Sequence, residues 1–147
     1  MFIGLNETVR GASHVDSGTV CQDYSAYKTT DGYAVAAVAD GHGSKKHFRS
    51  DFGAKSAVEV TIKAIDEFCA DIDEFEKKFK EGPDYLITKI QKYIIKSWYD
   101  AVNEHYNNNP VMPEERTQLT DDELAAIKTE SIYGSTLIIA VLTENLC

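Results

Sequence analysis

Asp40-Gly41-His42-Gly43 places a carboxylate, an imidazole and two glycines in four consecutive positions. A carboxylate with main-chain carbonyls beside it is an oxygen donor set, the kind that a hard cation such as Mg²⁺ or Mn²⁺ takes. The glycines allow a sharp turn and bring the backbone close to whatever binds there. Taken alone, Asp40-Gly41 is an ordinary turn signal. The four residues follow directly on Tyr33 to Ala39, an unbroken run of small and β-branched residues. That run is too short for a good helix and is expected to be a strand buried on both faces.

The elements around this stretch must position it. Phe2 to Ser13 alternates loosely and is expected to be a strand, with His14 to Thr19 a loop. Cys21 to Tyr27 is expected to be a second strand, turned back into the central one at Thr29-Thr30-Asp31-Gly32, where Asp-Gly tolerates positive φ. Such a hairpin brings Asp23 near Asp40. Ala54, Val58, Ile62, Ile65 and Cys69 form a helical stripe over Ser50 to Cys69. Asp66 to Asp84 carries eight acidic residues against three lysines, with Ile72, Phe75 and Phe79 at helical spacing, and is expected to be a solvated helix face. Gly82-Pro83 breaks the chain, and Asp84 is expected to cap a long helix to Tyr106 with Ile87, Ile90, Ile94, Trp98 and Val102 on its apolar side. A loop containing Pro110 and Pro113 runs to Leu119. Thr120-Asp121-Asp122-Glu123 is a capping box opening a short helix, and Lys128 to Ile132 leads out of it. Leu137 to Leu142 is expected to be another doubly buried strand. The order gives an α+β domain, with helices covering a mainly antiparallel sheet.

The 147 residues suffice for one domain with its own core, and a 43% hydrophobic, 27% charged composition is that of a globular protein. A net charge of −9 makes nucleic acid and anionic membrane poor partners. No apolar run approaches the ~18 residues of a membrane span. Cys21, Cys69 and Cys147 fit neither a zinc pattern nor a disulfide framework, so a cytoplasmic protein is expected.

Gln22-Asp23 on an early strand, Val38 to Gly43 after the central one, Gly53-Ala54 and Ala57 in the next helix, and Gly134-Ser135-Thr136 before an apolar strand stand in a characteristic order. In these features the chain resembles the metal-dependent serine/threonine phosphatases of the 2C type, the PPM family, particularly its bacterial members. The resemblance implies a four-layer α-β-β-α sandwich, two antiparallel sheets flanked by helices, with two Mg²⁺ or Mn²⁺ ions between the sheets. It implies that Asp40 bridges both ions, that Gly41 offers its carbonyl, and that Asp23 acts close to the ions, often through water. Gln22 stands where the family often has Glu and would hydrogen-bond a metal-bound water. His42 either protonates the leaving serine or threonine oxygen or only hydrogen-bonds a water or loop carbonyl. His14 and His47 are expected to be surface or loop histidines.

Two departures stand out. The family often carries a phosphate-gripping arginine shortly before the acidic pair; Asp16 to Val20 has none, which leaves Arg10 or His14 as a substitute, or a different grip. The family also draws further aspartates from its later half, whereas no aspartate follows Gly134. Residues 1–147 are therefore expected to be the N-terminal portion of one phosphatase domain, inactive alone, its cut sheet inviting self-association. The competing readings are a non-catalytic half-domain that acts as an interaction module, and an unrelated α+β binding domain whose Asp-Gly is only a turn.

Overall fold

The structure, a computed structural model, describes residues 1–115 and 119–146, the side chains of Ser13 and Ser17 excepted. Arg116 to Gln118, part of the expected loop, and Cys147 lie outside the described residues. Among the described residues the elements follow in order: α1 (Ala12–Ser17), β1 (Asp23–Thr29), β2 (Tyr33–Asp40), α2 (Ser50–Phe68), α3 (Ile72–Glu81), α4 (Pro83–Asn108), α5 (Asp121–Ala126), α6 (Thr129–Ile132) and β3 (Ile138–Thr143). The architecture is α+β: a three-stranded antiparallel sheet, β2 central, with α2 packed on it and α4 packed on α2.

The hairpin forms as the sequence implies, by a different turn. Thr30 closes it: its amide donates to the Tyr33 carbonyl at 2.9 Å, and its hydroxyl accepts the Tyr33 amide at 3.0 Å. Only Gly18 and Gly43 have positive φ among the described residues, so the Asp31-Gly32 conformation expected of the turn is not used. At the start of α4 the cap is Gly82 with Pro83 in the first helical position, and Asp84 sits in the first turn instead of capping it. Thr120 and Glu123 make the capping box as expected.

Four expectations give way to tertiary packing. The strand over Phe2 to Ser13 does not form: residues 1–11 carry no regular element, and α1 runs from the end of that segment into the expected loop. A strand needs a partner ladder, and this segment is instead held by side chains: Asn6 Nδ2 donates to the Ser25 carbonyl at 3.0 Å, and Thr8 and Ser25 hydroxyls meet at 2.7 Å. Neither apolar strand is buried on both faces. Tyr33, Val35, Ala37 and Ala39 point into the helices at 5% exposure or less, while Val38 is 46% and Ile138 69% exposed on the opposite side. On α4, Ile90, Ile94, Trp98 and Val102 face the core as expected, but at the first turn Leu86 is buried in place of the exposed Ile87. In the acidic stretch Glu76 is buried, where it accepts hydrogen bonds from Thr143 and, at 2.8 Å, from Asn145, anchoring the end of β3 to α3.

The core fills the space between the inward face of β2 and the two long helices. Ala54, Ala57 and Val58 meet Ala37 and Ala39, and Ile65 meets Val35 and Leu86. Small residues on both sides let α2 lie close on the strand. α2 also presses on the chain just after α6: a Cβ on Gly53 would stand 1.8 Å from the Tyr133 carbonyl oxygen. Trp98, expected in the core, packs against α2 and donates from Nε1 to the Gly53 carbonyl at 3.0 Å.

Candidate functional site

Asp23 and Asp40 are direct cross-strand partners at the end of the β1–β2 ladder. Just beyond them the Gly41 amide donates to the Gln22 carbonyl at 3.1 Å, so the two aspartates occupy a non-hydrogen-bonded pair. At such a pair facing Cβ atoms are closest, about 4.5–5.5 Å. The Asp40 backbone is also held from the other side, its carbonyl accepting the Thr136 amide at 2.8 Å. Both side chains belong to the open face of the sheet and line a cleft of 440 Å³ with Glu7, Thr8, Thr136 and Ile138.

The electrostatics follow from that geometry. Burial, and next the charge and hydrogen bond of Asp40, push the Asp23 carboxyl above the usual carboxylate range; the charge of His14 opposes them. Two carboxylates so placed are satisfied by a shared proton or by a cation.

Gly41 is buried and could carry no side chain. A Cβ would stand 2.7 Å from the Gln22 carbonyl oxygen and 2.9 Å from both the carbonyl and hydroxyl oxygens of Ser50. The N-terminus of α2 is thus pressed against the turn that follows Asp40. Ser50 Oγ is itself buried and without a hydrogen-bond partner among the described residues. Gln22 is buried, with its Oε1 lying 2.9 Å from where a Cβ on Gly43 would be. His42 is exposed; its amide donates to the Gly134 carbonyl at 3.0 Å and its ring meets His47 edge-on at 4.8 Å. His47 is half-buried, and its Nδ1 bonds the Ser131 carbonyl. It lies in the loop before α2, as expected, and tethers that loop to α6.

The fold thus brings Asp23, Asp40 and Gly41 together and puts His14 within electrostatic reach of Asp23. Arg10 is in the N-terminal segment, with Nη1 3.5 Å from the Thr19 carbonyl. Oxygen donors alone, two carboxylates and a main-chain carbonyl, suit a hard divalent cation. Among the described residues there is no cluster of three or more His, Cys, Asp or Glu side chains able to hold an ion. Sequence reasoning missed Glu7 and Thr8, because nothing in their types indicates that the N-terminal segment lies across β1.

It also missed Arg49. This buried guanidinium engages all five of its N–H groups: Nε and Nη2 grip Glu115 at 2.6 and 2.8 Å, Nη1 reaches the Asn109 carbonyl at 2.8 Å and the Tyr133 hydroxyl at 3.0 Å, and Nη2 reaches the Pro110 carbonyl at 3.2 Å. The Glu115 carboxyl is held below its ordinary range, first by the Arg49 hydrogen bonds. Arg49 directly precedes Ser50, so this network fixes the helix end that presses on Gly41.

The sequence model of the family described as Protein phosphatase 2C matches residues 10–147. No curated protein and no solved structure matches the chain. The matched span contains every residue placed at the cleft except the rim from Glu7 to Val9.

Proposed function

Because this chain belongs to the protein phosphatase 2C family, we propose that its Asp23–Asp40 end forms part of a two-cation centre hydrolysing phosphoserine and phosphothreonine esters of proteins. The observation that carries the reading is the direct pairing of two carboxylates at a cleft on the open face of the sheet. Asp40 would hold both cations, Gly41 would lend its main-chain carbonyl, and Asp23 would act through water. Mg²⁺ or Mn²⁺ bound there lowers the pKa of a water and offsets the charge of the phosphoryl oxygens. Gln22, buried beside Gly43, keeps the turn in shape, and exposed His42 would pass a proton to the leaving oxygen. His14, within electrostatic reach of Asp23, and Arg10, next in sequence to the cleft residue Val9, would be the groups to meet the phosphate.

Asp40 and the Gly41 carbonyl, with Asp23 acting through water, fall short of the near-octahedral set that even one Mg²⁺ requires, so water or another polypeptide segment must complete it. The 147 residues alone are therefore expected to bind Mn²⁺ only at about millimolar strength, like the loosest oxygen sites, and to turn over a phosphoserine peptide negligibly. The test is a Mn²⁺ titration, followed by water proton relaxation, of the wild type and Asp40→Asn. At least about tenfold weaker binding by the variant is expected, since a bridging charge is lost. Equal binding by the two proteins would sink the assignment.

A second reading rests on the open sheet face, where Val38 and Ile138 stand exposed beside the outer edge of β3, which pairs with no strand among the described residues. Apolar surface next to a free edge is a template for association. In that reading the chain is a non-catalytic module that works by pairing its sheet with another polypeptide. No helix among the described residues is long and apolar enough to cross a membrane.

A further inference from the structure

Outside the cleft, the densest polar construction is the Arg49 network, and the cation site does not use its far end. Tyr133 is fully buried, and its hydroxyl oxygen accepts from Arg49 Nη1. The hydroxyl proton is thereby free to go to His105 Nδ1, 2.8 Å away. That donation requires a neutral imidazole with its own proton on Nε2. Phe52 holds the ring in place, stacked on it at 3.8 Å. The same Arg49 secures the segment 109–115 through the Asn109 and Pro110 carbonyls and the Glu115 carboxylate. This segment walls a cleft of 600 Å³ that also contains Phe48, Phe52 and His105.

We propose that His105 is a proton-operated catch: protonating its imidazole breaks the Arg49–Tyr133–His105 relay and releases segment 109–115 from the N-terminus of α2. A proton on Nδ1 leaves the Tyr133 hydroxyl with no acceptor in a fully buried position and sets a second cation beside Arg49. Each of these is costly in the interior. The groups facing His105 pull both ways. Arg49 opposes its charging; Asp51 at the start of α2 and Glu115 on the strap favour it. Glu59 of α2 and Glu104 of α4 line the neighbouring groove between the two helices. Burial first, and Arg49 second, hold the imidazole below its ordinary range, so the catch is closed at neutral pH and opens in mild acid. Opening loosens the bonds that fix Arg49 and exposes Phe48 and Phe52.

The inference does not depend on the phosphatase reading, and its test needs no metal or substrate. It uses the whole chain, between pH 7.5 and 5.5, above the isoelectric point of about 4.8. NMR follows the His105 ring, while hydrogen exchange follows two strap amides, Met112 (donating to Glu115 Oε2) and Glu115 (donating to the Met112 carbonyl). The ring is expected to titrate below the free value of about 6.5. The strap protection factors should fall about tenfold or more along the same curve, as for a local opening. In His105→Asn, whose carbonyl still accepts from Tyr133 and cannot charge, protection should stay level. A ring that titrates at or above the free value, strap protection that ignores pH, or an equal fall in the variant each overturns the proposal. Should the variant not fold, the wild type alone decides, by whether ring and strap share one transition.

Discussion

Asp23 faces Asp40 across the last pair of the β1–β2 ladder, two acids where a sheet would ordinarily place opposite charges. The arrangement is imposed by the strands and held from both sides, by Gly41 on Gln22 and by Thr136 on Asp40. It costs the folded chain something, and the cost is measurable.

The Asp23 carboxyl is raised, so the folded chain binds that proton more tightly than the unfolded one. The stabilisation that accompanies the proton is complete below the unfolded value, roughly 3.9, and is lost as pH rises through the folded value. At pH 7 the facing charges should cost about 0.2–1 kcal/mol, less in salt. Asp23→Asn is therefore expected to raise the Tm at low ionic strength, with the gain shrinking at about 1 M salt. A Tm that drops in low salt would contradict the pairing.

Gly41→Ala should destabilise by about 1–3 kcal/mol, the range for overpacking, because its methyl meets two main-chain oxygens with nowhere to go. Urea denaturation measures this. A cost within experimental error would mean that α2 does not press on the turn.

Glu115→Ala strips Arg49 of its charge partner and should cost about 3–5 kcal/mol. Exchanging both, Arg49→Met with Glu115→Leu, should cost less than the single change, which a double-mutant cycle reads directly. The pH dependence has the opposite sign to that of Asp23. The Glu115 carboxyl is lowered, so the pair's contribution is full above the unfolded value, roughly 4.3, and is lost as pH falls through the folded value. Arg49→Met should flatten that acid limb. An unchanged acid limb would remove Glu115 from the account.

Ile138 is 69% exposed on the open face, and Ile65 is 1% exposed against α4 and β2. Ile65→Ala should cost about 2–5 kcal/mol. Ile138→Lys should leave stability within about 0.5 kcal/mol, as for other surface changes. The same variant tests association: the wild type is expected to self-associate, as a two-fold dimer or larger, and Ile138→Lys to sediment as a monomer. A wild type that is monomeric at all concentrations would count against the open face as an interface.

Much of this was written locally. The capping box at Thr120 and Glu123, the break at Gly82-Pro83 and the stripe of α2 are set by near neighbours, and they form where the sequence puts them. The hairpin, too, was legible, and with it the nearness of Asp23 and Asp40, since register follows once two strands turn back on each other. The run from Tyr33 to Ala39 could not say how many of its faces are covered, because alanine and valine suit a buried face and a bare one alike. That depended on which elements lie above and below the sheet. Phe2 to Ser13 had the alternation of a strand, yet a strand exists only beside another, and side-chain tethers to Ser25 took the ladder's place. Arg49 carried no signal in its surroundings. Its five bonds reach residues 60 to 84 positions away, and only the folded chain brings Asn109, Pro110, Glu115 and Tyr133 around one guanidinium.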